Sequence, residues 1–205
     1  MSRSLKNLTV SFAVFALMAI ATTVAKADSV QLTVPNDPSA IGSGPYANVT
    51  YVLNGNSIDV TVTAISPYTM FGTGGGMFGF NVVGDTTGLI ISNTVNCTAG
   101  LGQNMSMFGN FEFTVAGIQP PGVSSFSFTV SRNIGFSSAS DLYEDNDKGY
   151  AFAAHIYNPN GPVDARSGFA GNGPTSVPEP ASMLLLGTGL VGIAGGLRRR
   201  FKNNR

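Results

Sequence analysis

Two runs of β-branched residues on either side of Asn54-Gly55-Asn56 commit this chain to sheet. Val49-Thr50-Tyr51-Val52-Leu53 leads into the turn, and Ser57-Ile58-Asp59-Val60-Thr61-Val62-Thr63 leads out of it. Asn-Gly between such runs is a strong hairpin signal, because glycine accepts the positive φ that a tight hairpin turn demands. In the second run Ile58, Val60, Val62 and Ala64 fall on one side, and Asp59, Thr61 and Thr63 on the other. A period of two means one buried face and one wet face.

The same pattern recurs along the middle of the chain. Gln31 to Val34 reads as a short first strand, and Asn36 to Pro45 as a turn-rich loop. Met77 to Val83 and Leu89 to Ser92 read as strands, and Gly100 to Asn110 as a loop of Gly, Asn and Met. Phe111-Glu112-Phe113-Thr114-Val115 and Phe126-Ser127-Phe128-Thr129-Val130-Ser131 alternate, and Ala151 to Tyr157 makes a last strand. Between residues 28 and 177 no helical period of any length occurs, and Gly, Ser, Thr, Asn, Val and Phe are favoured over Lys, Glu and Leu. Seven or eight short strands separated by turn signals predict an all-β fold, a single antiparallel β-sandwich of jelly-roll or Ig-like type. Phe78, Phe80, Phe111, Phe113, Phe126 and Phe128 are its expected core.

Both ends of the chain are apolar. Arg3 and Lys6 precede a run from Leu8 to Ala21 that is broken only by Thr9 and Ser11, and Ala25-Lys26-Ala27 follows. This is the layout of a secretory signal peptide, with Ala25 and Ala27 as the small residues of the cleavage site and Asp28 as the new first residue. At the other end, Val177-Pro178-Glu179-Pro180-Ala181-Ser182 leads into an apolar run from Met183 to Leu197, closed by Arg198, Arg199 and Arg200. Ala181 to Leu197 holds no charge and five glycines. As a transmembrane helix it measures about 25 Å at about 1.5 Å per residue, short of the ~20 residues a full hydrocarbon core asks for. So short and glycine-rich a span suits a transient anchor. The arginines favour a cytoplasmic C-terminus. Two prolines remove amide donors and hold residues 178–180 extended, so the site stays out of helix and sheet. The expected layout is a signal peptide helix over 1–27, a β-sandwich over 28–160, a Gly/Pro/Ser-rich linker over 161–177 and a C-terminal segment over 178–205 made of the Pro-Glu-Pro box, a transmembrane helix and a basic tail.

The combination of Pro178-Glu179-Pro180, the apolar span and the arginines resembles the PEP-CTERM sorting signal of Gram-negative bacteria. The resemblance implies processing by exosortase, a membrane-embedded cysteine transpeptidase, with Pro178, Glu179 and Pro180 as the recognition box and Arg198, Arg199 and Arg200 as the stop-transfer cluster. It also implies export, after transient residence in the inner membrane, to the cell surface or extracellular matrix, in company with exopolysaccharide and biofilm production. Phe152-Ala153-Ala154-His155-Ile156, with Ser167-Gly168-Phe169 and Gly171-Asn172-Gly173-Pro174 after it, looks like the closing segment of many proteins with this tail. It is expected to be a last strand and linker. Signal peptidase and an exosortase-type enzyme are the expected processing partners.

Whole-chain neutrality hides an acidic body. Eight of the eleven basic residues lie in the two ends, so residues 28–177 keep three basic residues against ten acidic ones, a net charge of −7. Such a body argues against nucleic acid, whose phosphates need Lys and Arg. The role expected, on what the resemblance implies, is non-enzymatic: a structural or adhesive matrix component or, alternatively, a carbohydrate-binding module that contacts exopolysaccharide.

Candidate sites within the body are few. Asp141, Glu144, Asp145 and Asp147 place four carboxylates within seven residues, a calcium-binding candidate, although the spacing is not that of an EF-hand. Against it stands the simpler reading, a solvated acidic loop. Gly72 to Gly76 lacks the lysine and helix of a phosphate loop and reads as a connection. His155 is the only histidine, which excludes a zinc site built on histidines, and no G-x-S-x-G element accompanies it. Cys97 is the only cysteine, so no internal disulfide forms, and its neighbours include no base to activate it.

Overall fold

The computed structural model describes residues 27–72 and 76–173. The signal peptide, Ala25, the recognition box, the apolar span and the arginine cluster lie outside them. Among the described residues no helix is long and apolar enough to cross a membrane.

The body is all-β. Its strands are β1 (Ala27–Pro35), β2 (Ala47–Asn54), β3 (Ser57–Ala64), β4 (Thr69–Met70), β5 (Phe78–Phe80) and β6 (Ile90–Val95). β7 (Thr98–Asn104), β8 (Asn110–Ala116), β9 (Ser125–Ser131), β10 (Phe152–Tyr157) and β11 (Ser167–Asn172) complete the set. One helical turn, α1 (Pro38–Ile41), is capped by Asp37, whose carboxylate accepts from Ser39 N at 2.9 Å. The expected hairpin forms in full register, from Ala47↔Ala64 to Asn54↔Ser57.

All strands join one antiparallel sheet of order β6-β9-β3-β2-β1-β11-β10-β5-β8-β7, with β4 on β10. The expectation of an antiparallel all-β fold holds, but the ladders run on without a break where a sandwich would have two separate sheets. Its two ends, β6 and β7, are consecutive in the chain, with only Asn96 and Cys97 between them. Val95 and Thr98 are three residues apart, so their Cα atoms lie within ~11 Å. Two strands at opposite ends of the order meet only if the sheet curls round, and the result is nearly a barrel.

Large rings fill the interior. Phe78 stacks on Phe152 at 5.7 Å between centroids and meets Phe126 edge-on, also at 5.7 Å. Phe80 stacks on Phe128 at 5.4 Å and on Phe113 at 5.6 Å. Ile58, Val60 and Val62 from β3 are fully buried beside them, as the alternation requires.

Phe111 departs from expectation. It belongs with Met105, Phe108 and Ala153 in a second, smaller cluster, edged by Val34, Tyr150 and Phe169. This cluster covers the outer face of the sheet. In register, Gly79 pairs with Ala153 and Ala153 with Gly171, so three small residues lie side by side across β5, β10 and β11. A Cβ at Gly79 would meet the Phe111 ring at 2.7 Å, and one at Gly171 would meet Phe108 at 2.6 Å. The small residues form a trough, and the aromatic rings fill it.

Two stretches read from sequence as irregular are strands. Residues 161–177 are not all linker, since Ser167–Asn172 is β11, and Thr98–Asn104 is β7 rather than the start of a loop. Both are disguised by glycine. Gly168 and Gly171 sit beneath Ile41 and Phe108, and Gly102 lies against the backbone of Phe111 and Glu112. A side chain has no room there, so the β-branched signature is missing although the ladder forms.

Candidate functional site

The sorting tail attaches to the middle of the sheet. β11 is flanked by β1 on one side and β10 on the other, so a pull on the C-terminus is resisted by two ladders. Its last residue, Asn172, is buried: Oδ1 accepts from Phe152 N at 2.8 Å, and Nδ2 donates to the Tyr143 hydroxyl at 3.0 Å. These bonds pin the point where the chain leaves the body at Gly173.

The N-terminal strand lies beside β11. Leu32 pairs with Asn172 in antiparallel register, so β1 runs back from Leu32 toward Ala27 in the direction in which β11 runs out. Ala27 is five residues from Leu32, about 17 Å along a strand. β1 traced back to Ala27 and β11 traced out to Gly173 therefore head the same way, with Gly173 level with the middle of β1. Ala27 and Asp28, the expected cleavage residues, are already part of β1, opposite Val52 and Tyr51.

The acidic loop is occupied with structural work. Asp141 Oδ2 accepts from Ser137 N at 3.1 Å and Ser138 N at 3.4 Å, and completes a capping box with Ser138 on the 3-10 turn Ala139–Leu142. It also faces Arg132 at 3.5 Å. The Arg132 side chain is only 7% exposed. Its guanidinium donates to the carbonyls of Gly135 (2.9 Å), Val83 (2.6 Å) and Asp85 (3.0 Å) and lies 4.2 Å from the Phe136 ring centroid. Asn146 Nδ2 donates to Phe108 O at 2.7 Å and Asn110 O at 3.1 Å, while its Oδ1 accepts from Lys148 N and Tyr150 N. The loop thus closes the outer cluster and is not a free polar arm. Glu144 is half-buried, and Asp145 and Asp147 are exposed. Among the described residues no group of three or more His, Cys, Asp and Glu side chains is placed to hold a metal ion. The structure does not gather Asp141, Glu144, Asp145 and Asp147, because Asp141 is turned inward to cap and to pair.

His155 lies half-buried on the outer face between two rings, 3.8 Å from Phe71 and 4.3 Å from Phe169, with Tyr157 edge-on beyond Phe71. Burial lowers its pKa to about 4, so the imidazole is neutral. The Cys97 thiol donates to Ser127 O at 3.4 Å, and burial pushes its pKa up to about 11. A thiol so held stays protonated and is a poor nucleophile. Gly72 and Gly76 are drawn together, since a Cβ on Gly72 would meet Gly76 backbone atoms at 2.8 Å, and residues 73–75 between them lie outside the described set. Nothing in the sequence marks the structural roles of Arg132, Asn146 and Asn172, three polar residues that tie loops and exit strand to the body. Single polar residues in loops carry no period, so their partners are visible only in three dimensions.

What these features define is an acidic, curled β-sheet body whose first and last strands head the same way toward the two ends of the chain, each of which is apolar in sequence. The chain carries a PEP-CTERM protein-sorting motif, matched over residues 176–200. That motif implies secretion, a transient stay in the membrane and processing by an exosortase-type enzyme. No curated protein and no solved structure matches the chain.

Proposed function

We propose that this is a non-enzymatic protein of the cell surface or extracellular matrix of a Gram-negative bacterium, working alongside secreted exopolysaccharide or biofilm. The leader takes the body across the inner membrane and signal peptidase cuts before Asp28. The apolar span then holds the body until an exosortase-type transpeptidase acts near Pro178-Glu179-Pro180. The sorting motif at residues 176–200 carries this reading. The common heading of the start of β1 and the end of β11 supports it, because leader and tail are then led off in the same direction. The pairing of Ala27 and Asp28 within β1 supports cleavage before β1 completes its ladder, since a protease needs that bond unpaired. Mass spectrometry of the exported product tests the reading. A first residue at Asp28 and a C-terminus near Pro180 are expected in a producing host, with the tail retained when Glu179 is replaced by Ala. A product that keeps Met183 to Leu197 in the native host refutes it.

Carbohydrate binding is the second reading, favoured by the half-exposed rings of Phe71, His155, Tyr157 and Phe169 on the outer face. A glycan array separates the two: saturable binding to one polysaccharide, lost on Phe71→Ala, favours the second.

A further inference from the structure

The two ends of the sheet are protected unequally. β6 is blunted: its register with β9 shifts between Ser92 and Val95, and Asn93 and Asn96 adopt positive φ of 49° and 59°. Bulges of this kind turn an edge away from would-be partners. β7 has no such device. It keeps one register with β8, from Thr98↔Ala116 to Leu101↔Phe113 and again from Gln103↔Phe111 to Asn104↔Asn110, and pairs with β8 alone among the described residues. It has neither a proline nor a charge, and no charged residue occurs between Asp85 and Glu112. Leu101, at its centre, is 84% exposed. Met107, just beyond β7, is 51% exposed.

We propose that β7 is an interaction edge whose partner is β7 of a second copy of this chain, joined antiparallel about a two-fold axis at Leu101. Charge permits this partner, and the self-complementarity of the edge selects it. Two bodies of net charge −7 repel wherever their acids face each other. An uncharged edge lets them approach with no like charges opposed, and it offers nothing to attract a cationic strand. The edge is also self-complementary. A two-fold at Leu101 sets Leu101 against Leu101, Gly100 against Gly102, Ala99 against Gln103 and Thr98 against Asn104, so the most exposed leucine covers itself and no bulky pair collides. Main-chain bonds along seven residues then join two sheets into one, the strand-addition mode of recognition. A two-fold contact closes on itself and yields a dimer.

Cysteine cross-linking of the full chain in a producing host tests this. In a Cys97→Ser background, Leu101→Cys is expected to give a reduction-sensitive dimer on mild oxidation, and Thr61→Cys, equally a surface strand position, to stay monomeric. Light scattering on the full chain in mild detergent gives an independent reading. The parent chain should be dimeric at about 100 µM, and Leu101→Glu should raise the dissociation constant at least tenfold. At a concentration low enough to keep both chains monomeric, the melting temperature should not change, because the side chain is not part of the core. A parent chain that stays monomeric overturns the proposal. So does equal cross-linking from positions 61 and 101. So, too, does a Leu101→Cys thiol shielded from maleimide in the monomer, which would mean that the chain covers its own edge.

Discussion

One half of the sheet hides its outer face and the other half does not. Along β2, β3 and β9 the outer face is wet, and the strands alternate cleanly: Ile58, Val60 and Val62 inward, Asp59, Thr61 and Thr63 outward. Along β5, β10 and β11 both faces are covered. Phe152, Ala153 and Ala154 are buried in succession, as are Phe78, Gly79 and Phe80. The first half is held by one layer of side chains, the second by two, with rings inside and Phe108, Phe111 and Tyr150 outside. A strand advertises itself by alternation only where water touches one side. Where a second layer closes over it, alternation disappears, and glycine or alanine marks where that layer presses down.

If the inner ring layer is the main source of stability, its centre is the most sensitive point. Phe78 is fully buried and contacts the rings of Phe80, Phe126, Phe128 and Phe152. Phe78→Ala should destabilise the body by about 3–5 kcal/mol, the range for a buried phenylalanine that leaves a cavity. Urea denaturation followed by fluorescence of the tyrosines reads this. A loss below about 1 kcal/mol would mean that the two layers share the load evenly.

The outer layer is tested by adding atoms rather than removing them. Gly171→Val brings a side chain against the Phe108 ring, where even a Cβ lies 2.6 Å away. Overpacking of that kind should cost about 1–3 kcal/mol. Phe108→Ala should relieve it, so the double variant is expected to be more stable than the sum of the single losses predicts. Additive losses would show that Phe108 does not press on Gly171 in solution.

The same distinction explains what could be read from the chain beforehand. The hairpin at Asn54-Gly55, the buried face of β3 and four of the six expected core phenylalanines follow from local pattern, because each is decided by neighbours in sequence and by water. Phe113 is a partial success, packed against the core but only half-buried. Phe111, β7 and β11 were not legible, since each depends on a contact with a distant segment that takes up the room a side chain would need. The candidate site divides in the same way. The sorting motif is a contiguous match over residues 176–200, so sequence suffices. The roles of Asp141 and Asn146 depend on Arg132 and on residues 108–110, and no spacing rule joins those positions.

Acid probes the outer face from another direction. His155 has a folded pKa of about 4 against an ordinary value of 6.5, because burial disfavours the charged ring. The unfolded chain therefore binds more protons between these two values. Stability is at its full value above pH 6.5 and falls as the pH drops toward 4. The pKa difference corresponds to at most about 3 kcal/mol, and attraction of an imidazolium to the flanking Phe71 and Phe169 rings reduces it. His155→Phe should flatten the curve of unfolding free energy against pH between 6.5 and 4. Below that window the lowered pKa values of Asp37 and Asp85, each set chiefly by side-chain hydrogen bonds from Ser39 and Thr87, take over with the same sign. A His155→Phe variant with an unchanged slope would place the acid sensitivity elsewhere.

The smallest expected effect sharpens the comparison most. Gly55 and Gly171 are both glycines in or beside strands, but for different reasons. Gly55 has φ 60°, and a Cβ added there would meet nothing within 4 Å, so only backbone conformation requires it. Gly171 has no positive φ and is required by space. Gly55→Ala should cost about 1 kcal/mol, the penalty of placing an L-residue in the left-handed region. Gly55→Asn should cost less, because asparagine tolerates that region. At Gly171 the order should instead follow volume, with Asn worse than Ala. Melting curves of the four variants decide the matter. If both sites rank their substitutions by size, the hairpin glycine is also crowded in solution, and the division between a one-layered and a two-layered half of the sheet fails.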